Sequence, residues 1–163
     1  MLILTSLLLV VVVIAVAAVV VGQMGLLQGR PPSNPGVRDG RLKPPSKTPN
    51  SVSSQARLHL DHPMREHAQI DPLALRDGDG PGTLSKLKAV VQEMPGAKVV
   101  RSQPDYLYVQ FTTRWMKYVD DAEFWFDPVA QVIQLRSSSR VGGKDYGVNR
   151  RRIEAIRARL AAR

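Results

Sequence analysis

Twenty consecutive residues from Leu2 to Val21, LILTSLLLVVVVIAVAAVVV, carry no charge, proline or glycine. A small water-soluble domain cannot bury a helix that is apolar on every side. At 1.5 Å per residue this one is about 30 Å long, the thickness of a bilayer core. Residues 1–22 therefore read as a membrane anchor. The competing reading is a cleaved leader, because Ala15, Val16 and Ala17 form a small-residue site. That site lies inside the apolar run, the run is long for a leader, and no Lys or Arg precedes it. An uncleaved single-pass anchor is expected, with the lipid bilayer as the partner of residues 2–21. Arg30, Arg38, Arg41, Lys43 and Lys47 follow the run, a bias that favours a cytoplasmic C-terminal domain.

The 163 residues suggest one compact domain with accessory segments, and the net charge of +9 suggests an anionic partner: nucleic acid, phospholipid headgroup or acidic ligand. The sequence has no cysteine, which excludes a disulfide framework, a thiolate zinc site, a cysteine nucleophile and a lipidated cysteine. Between Gln28 and Arg57, six prolines with glycines and serines interrupt any apolar period, so residues 23–57 read as an extended tether. From Leu58 to Gly82 the signals are mixed and no regular structure is assigned. Its apolar residues Leu58, Leu60, Ile70, Leu73 and Leu75 are suited to covering an edge of the domain behind it.

That domain, residues 58–163, has clearer periodicities. Thr83 is placed to cap a helix, LSKLKAVVQEM, in which Leu84, Leu87, Val91 and Met94 recur at helical spacing before Pro95-Gly96. Strands are expected at AKVVRS, YLYVQFTT, within WMKYVDDAEFWF, and at VIQLRSSS. A last helix runs from about Arg150 to Ala162, with Asn149 as N-cap and Ile153, Ile156 and Leu160 on one side. The order predicts an α+β fold, an antiparallel sheet of about four strands covered on one face by two helices. Strand alternation points Leu107, Val109, Phe111, Phe124, Phe126, Ile133 and Leu135 at the helices. It points Tyr106, Tyr108, Gln110, Glu123, Trp125, Gln134 and Arg136 the other way, onto a half-wet face able to bind a ligand.

Chemical signatures are sparse. His59, His62 and His67 lie near Asp61, Glu66 and Asp71, but the spacing matches no closed metal motif, and no metal or cofactor is expected. Asp120 and Asp121 are neighbours on a strand and point to opposite faces, which prevents a shared proton. The serines lack a nucleophile elbow. GGKDYG lacks the Ser or Thr and the upstream glycine of a phosphate loop. Arg150, Arg151 and Arg152 stand where a helix dipole repels cations, at about 0.3–1 kcal/mol each. Two explanations apply: an ion-pair network with Asp120, Asp121, Asp145 and Glu154, or an anion site formed by Arg136, Arg140, Asn149, Arg150 and Arg151. No catalytic residue is assigned.

TPNSVSSQA (Thr48 to Ala56), the pair Asp120-Asp121 and above all RSSSRVGGKDYGVNRRRIE (Arg136 to Glu154) resemble the bacterial and plastid family called domain of unknown function fourteen-ninety-nine. The resemblance runs from about Gly40 to the C-terminus, and it implies no activity. It implies an N-terminal membrane segment, and the lumenal association of the plastid relatives implies an extracytoplasmic domain. Members of the family carry a cysteine on either side of the Pro-Asn pair, in a pattern like C-P-x-x-P-N-C. Pro45 and Ser51 stand at those positions here, so the resemblance implies a lost disulfide, compatible with a reducing compartment.

Three functional classes follow. A membrane-anchored envelope accessory protein, binding a protein partner or an anionic ligand, unites the anchor, the tether and the missing catalytic signature. An enzyme would use Asp120 or Asp121 with the arginines on a phosphorylated or carboxylated substrate. A nucleic-acid module would stack bases on Tyr106 and Tyr108, but Asp120, Asp121, Glu123 and Asp127 interrupt that surface and the anchor argues against it.

Overall fold

A computed structural model describes residues 2–163; the first residue of the expected anchor, residues 1–22, lies outside the described residues. The N-terminal run forms one helix, α1 (Leu2–Gln23), long and apolar enough to cross a membrane. The remaining elements are β1 (Ser51–Ser53), a 3₁₀ turn (Ala56–Leu58), α2 (Arg65–Ala68), β2 (Leu73–Ala74), α3 (Gly80–Gln92), β3 (Ala97–Ser102), β4 (Tyr106–Thr112), β5 (Val119–Asp127), β6 (Val132–Ser139) and α4 (Val148–Ala161).

The fold is α+β, as the periodicities predict. Strands β3 to β6 form an antiparallel meander. Six strands are present rather than about four, because β1 and β2 both pair with the outer edge of β6. Ser51, Val52 and Ser53 oppose Ser138, Ser137 and Arg136, and Leu73 opposes Ile133. Strands of three and two residues are too short to show a period in sequence, yet they cover an edge that would otherwise expose unpaired backbone.

Helices α3 and α4 lie on one face of the sheet. Leu84, Leu87, Val90 and Val91 of α3 and Ile153, Ile156 and Leu160 of α4 are buried against Leu107, Val109, Phe111, Ala122, Phe124, Ile133 and Leu135. The inward set expected from alternation is the one found. Two caps differ from expectation. Helix α3 begins earlier than Thr83: Asp79 is its N-cap, accepting the N–H of Gly82, with Pro81 in the first turn where its missing N–H costs nothing. Thr83 instead turns its hydroxyl back to accept the N–H of Arg76. Helix α4 starts after Gly147, whose φ of 78° suits glycine, so Asn149 lies inside the helix and is not the cap.

The second sheet face is closed. The expected tether, residues 23–57, lies across it as a strap from about residue 34 to residue 46. Leu42 is buried with Tyr106 and Tyr108, beside Val37 and Trp125. Gln55 holds the strap from both sides, accepting the N–H of Leu42 and donating to the carbonyl of Gly40. Prolines suit a chain that crosses a face without pairing to it, and two isolated apolar residues carry no period, which is why the sequence reads as a tether. Ser51 Oγ accepts the N–H of Ser46 at 2.8 Å. A hydrogen bond thus joins the two stretches that the family resemblance links through cysteines.

Candidate functional site

The strand pair Asp120-Asp121 divides its charge between the two faces. Asp120 points to the helices and pairs with Arg152 of α4, both nearly buried. Asp121 points to the strap and accepts Nε and Nη2 of Arg140 at 2.7 and 2.8 Å, together with the hydroxyl of Tyr108. On the same face Glu123, fully buried, accepts the hydroxyl of Tyr106 at 2.6 Å and the N–H of Gly36 at 2.7 Å. The guanidinium of Arg136 stands 3.9 Å from Glu123 and donates to the carbonyl of Pro44. Burial, then the Glu123 carboxylate, pushes the Tyr106 phenol well above its ordinary range, and burial followed by the bond to Asp121 raises that of Tyr108. Burial pushes Arg136 down, whereas the bond to Asp121 holds Arg140 up. The layer is closed and neutral, two acids against two arginines. Tyr106 and Tyr108 lie beneath the strap with their hydroxyls engaged, so the open stacking face expected for a nucleic-acid module is not there.

The helix face carries a second polar layer centred on Asn149. Its Oδ1 accepts Ser137 Oγ and Nη1 of Arg152, while its Nδ2 donates to the Asn50 carbonyl, Ser139 Oγ and Asp145 Oδ2. Asp145 also accepts the N–H groups of Gly147 and Asn149 at the start of α4. Burial opposes its ionisation, but these N–H groups outweigh it and hold the carboxyl below its ordinary range. The sign follows from linkage: the stabilisation is present above the unfolded value of about 4 and is lost as pH falls through the lower folded value. Urea melts across acidic pH are expected to show a shallower loss of stability for Asp145→Asn than for the parent. Equal slopes would remove Asp145 from this role.

The candidate anion set does not assemble. Arg136 and Arg140 are held by Glu123 and Asp121 on the strap face. Arg150 donates to the carbonyls of His67 and Gln69, Arg151 to that of Tyr146, and Asn149 is enclosed. The N–H groups of Gly147, Val148 and Asn149 are occupied by Asp145. Arg157 donates to the carbonyls of Asp71 and Pro72. Arg150 and Arg157 of α4 thus satisfy carbonyls of the chain between His67 and Pro72, ahead of β2. Of the expected ion-pair carboxylates, Asp120 and Asp121 meet arginines, Glu154 meets Arg157 at the surface, and Asp145 serves backbone and Asn149. Among the described residues, no group of three or more His, Asp or Glu side chains converges on a metal position.

The open cationic site lies elsewhere, at the end of the sheet nearest α1. The β4–β5 loop is tied at its base, where the N–H of Thr113 donates to the Tyr118 carbonyl and the N–H of Tyr118 to Thr113 Oγ1. Its tip, Arg114 to Lys117, is therefore presented as a fixed turn. One side of the loop forms a cleft of about 640 Å³ with Arg114, Lys117 and Arg152 among its lining residues and no carboxylate. On the other side Lys144, Tyr118 and Tyr146 line a groove of about 350 Å³. Neither Arg114, Lys117 nor Lys144 has a carboxylate within ion-pair distance among the described residues; Arg114 lies over Trp115 and Lys144 over Tyr146. The last turn of α1 touches this loop. Gln23 Nε2 donates to the carbonyls of Arg114 and Trp115 at 3.2 and 2.9 Å, and a Cβ on Gly22 would stand 2.7 Å from the Met116 carbonyl oxygen. Sequence reasoning missed this site because turn residues have no period. The one available signal was a run of cations and aromatics between two strands.

Fold and site together define a small α+β domain, with an open cationic end, behind a helix apolar enough to span a bilayer. The chain belongs to the family described as protein of unknown function (DUF1499), which it matches over residues 41–160. No curated protein and no solved structure matches it.

Proposed function

We propose that this is a single-pass membrane protein whose domain works by binding, and that the bound group is anionic and sits in the cleft beside the β4–β5 loop. The observation that carries this reading is the cleft itself: Arg114 and Lys117 line it with no carboxylate among the lining residues, beside Arg152, whose charge Asp120 balances, and it opens beside the last turn of α1. Binding is favoured over catalysis because Asp120 and Asp121, the carboxylates suited to acid/base work, are each bound to an arginine on opposite faces.

Two measurements test the two halves. The protein is expected to stay in the membrane fraction through high-salt and alkaline washing; release by alkali, or a mature N-terminus beyond residue 17, overturns the anchor. In detergent micelles, inorganic phosphate is expected to raise the melting temperature of the full-length protein, and Arg114→Ala with Lys117→Ala to abolish that rise without lowering the melting temperature in its absence. A parent protein indifferent to phosphate overturns the anion-binding half.

A further inference from the structure

The span Ile3–Gln23 has 21 residues, which at 1.5 Å each gives about 31 Å and matches the hydrocarbon core of a bilayer. If α1 crosses the membrane, Gly22 and Gln23 stand at the boundary between acyl chains and headgroups. The β4–β5 loop touches those two residues: the Gln23 amide holds two of its carbonyls, and Met116 lies against Gly22. The loop is thereby fixed at headgroup depth.

The chemistry at that depth suits a headgroup layer. Trp115, at the loop tip, is 61% exposed, and Met24 and Leu26, immediately after the helix, are 70% and 68% exposed. Large apolar side chains left in water at this density are otherwise confined to α1 and a few scattered positions. Tryptophan is the residue most at home at the interface, with its ring among the glycerol groups and its N–H toward water. Arg114 and Lys117 flank it, and Lys144 projects from the adjoining β6–α4 loop, which is itself held near the anchor because a Cβ on Gly29 would fall 2.6 Å from Val141. Cations near an anionic surface are drawn to it, and among the described residues none of these three has a carboxylate within ion-pair distance, although Asp120 and Asp145 line the groove beside Lys144.

We infer that the β4–β5 loop is a second, headgroup-level attachment to the bilayer, in which Trp115 enters the interface and Arg114, Lys117 and Lys144 bind the phosphates of anionic phospholipids. The inference rests on the proposed anchor and names the anionic group of the proposed site. It makes the domain a rigid cap on its own membrane rather than a module swinging on a tether. The strap gives the same result from the other side, since it consumes the linker residues that would have supplied reach.

The test uses the full-length protein carrying Trp125→Phe, which leaves Trp115 as the single tryptophan of the two in the sequence. It is reconstituted in vesicles of phosphatidylcholine alone or mixed with phosphatidylglycerol. In the mixed vesicles, Trp115 emission is expected to shift to the blue, to lose most of its quenching by aqueous acrylamide, and to be quenched by lipids brominated near the carbonyl end of the chain. Arg114→Glu with Lys117→Glu is expected to reverse all three. The same charge change at the opposite end of the sheet, Lys88→Glu with Arg101→Glu beside the β3–β4 turn, is expected to leave them intact. Each sample is also washed with alkali. Protein that resists alkali while Trp115 remains open to acrylamide in phosphatidylglycerol vesicles overturns this inference and leaves the anchor standing. Equal protection in phosphatidylcholine alone overturns the anionic preference, and release by alkali overturns the anchor and the inference together.

Discussion

Asp121→Ala is expected to destabilise the domain by about 3–5 kcal/mol, the range for removing one partner of a buried ion pair. The side chains of Asp121 and Arg140 are 4% and 6% exposed, and the guanidinium binds the carboxylate through two nitrogens. Without the carboxylate, Arg140 stays charged in a site closed to water, and the Tyr108 hydroxyl loses its acceptor. Glu154→Ala is the comparison. Its pair with Arg157 is half open to solvent, and such pairs are worth about 0–1 kcal/mol. Urea denaturation of both variants in micelles, with the parent, measures the difference. Arg140→Ala added to Asp121→Ala is expected to recover part of the loss, because the uncompensated charge leaves with it. Similar midpoints for Asp121→Ala and Glu154→Ala would show that the layer under the strap contributes nothing.

This expectation selects, for Arg140, one of the two roles that the sequence leaves open. Five arginines around a glycine-rich turn fit an ion-pair network and an anion site alike, because sequence gives proximity along the chain and withholds the face to which each side chain points. Alternation gives the face correctly within a strand, which is why the core from Leu107 to Leu135 was legible and why Asp120 and Asp121 separate as expected. It does not say what covers the face. Val37 and Leu42, the two residues that close the strap, sit among prolines without a period, and β1 and β2 gain their identity only from the edge of β6. The caps failed for a related reason. Asp79 and Thr83 are both good capping residues four positions apart, and the choice between them was made by Pro81. The cationic loop beside α1 left one signal in the sequence, a run of cations and aromatics between two strands, but not its geometry: Arg114 and Lys117 join Arg152 only once β4, β5 and α4 are assembled.

Asn149→Leu is expected to cost about 3–5 kcal/mol, since several buried polar groups would each lose a partner at about 1–3 kcal/mol. Asn149 is fully buried and joins three parts of the chain. It accepts from Ser137 of β6, donates to the carbonyl of Asn50 ahead of β1, and sits on α4. A leucine keeps the branching at Cγ, is bulkier, and leaves the Ser137 hydroxyl, the Asn50 carbonyl and one donor of Arg152 without their partner. Asn149→Asp keeps the acceptor and loses the amide donors, and it brings a second carboxylate against Asp145, so it is expected to be no better. The damage should be local before it is global. β1 pairs with β6 over three residues, whereas the meander from β3 to β6 has its own long pairings and a core beneath it. Hydrogen exchange on Asn149→Leu is therefore expected to show amides of β1 and the first turn of α4 exchanging far faster than in the parent, with those of β4 and β5 slowed as before. Uniform acceleration across all strands would mean that β1 and α4 unfold only with the sheet. Unchanged exchange at Ser139, whose N–H donates to the Asn50 carbonyl, would mean that Asn149 does not hold β1 in place.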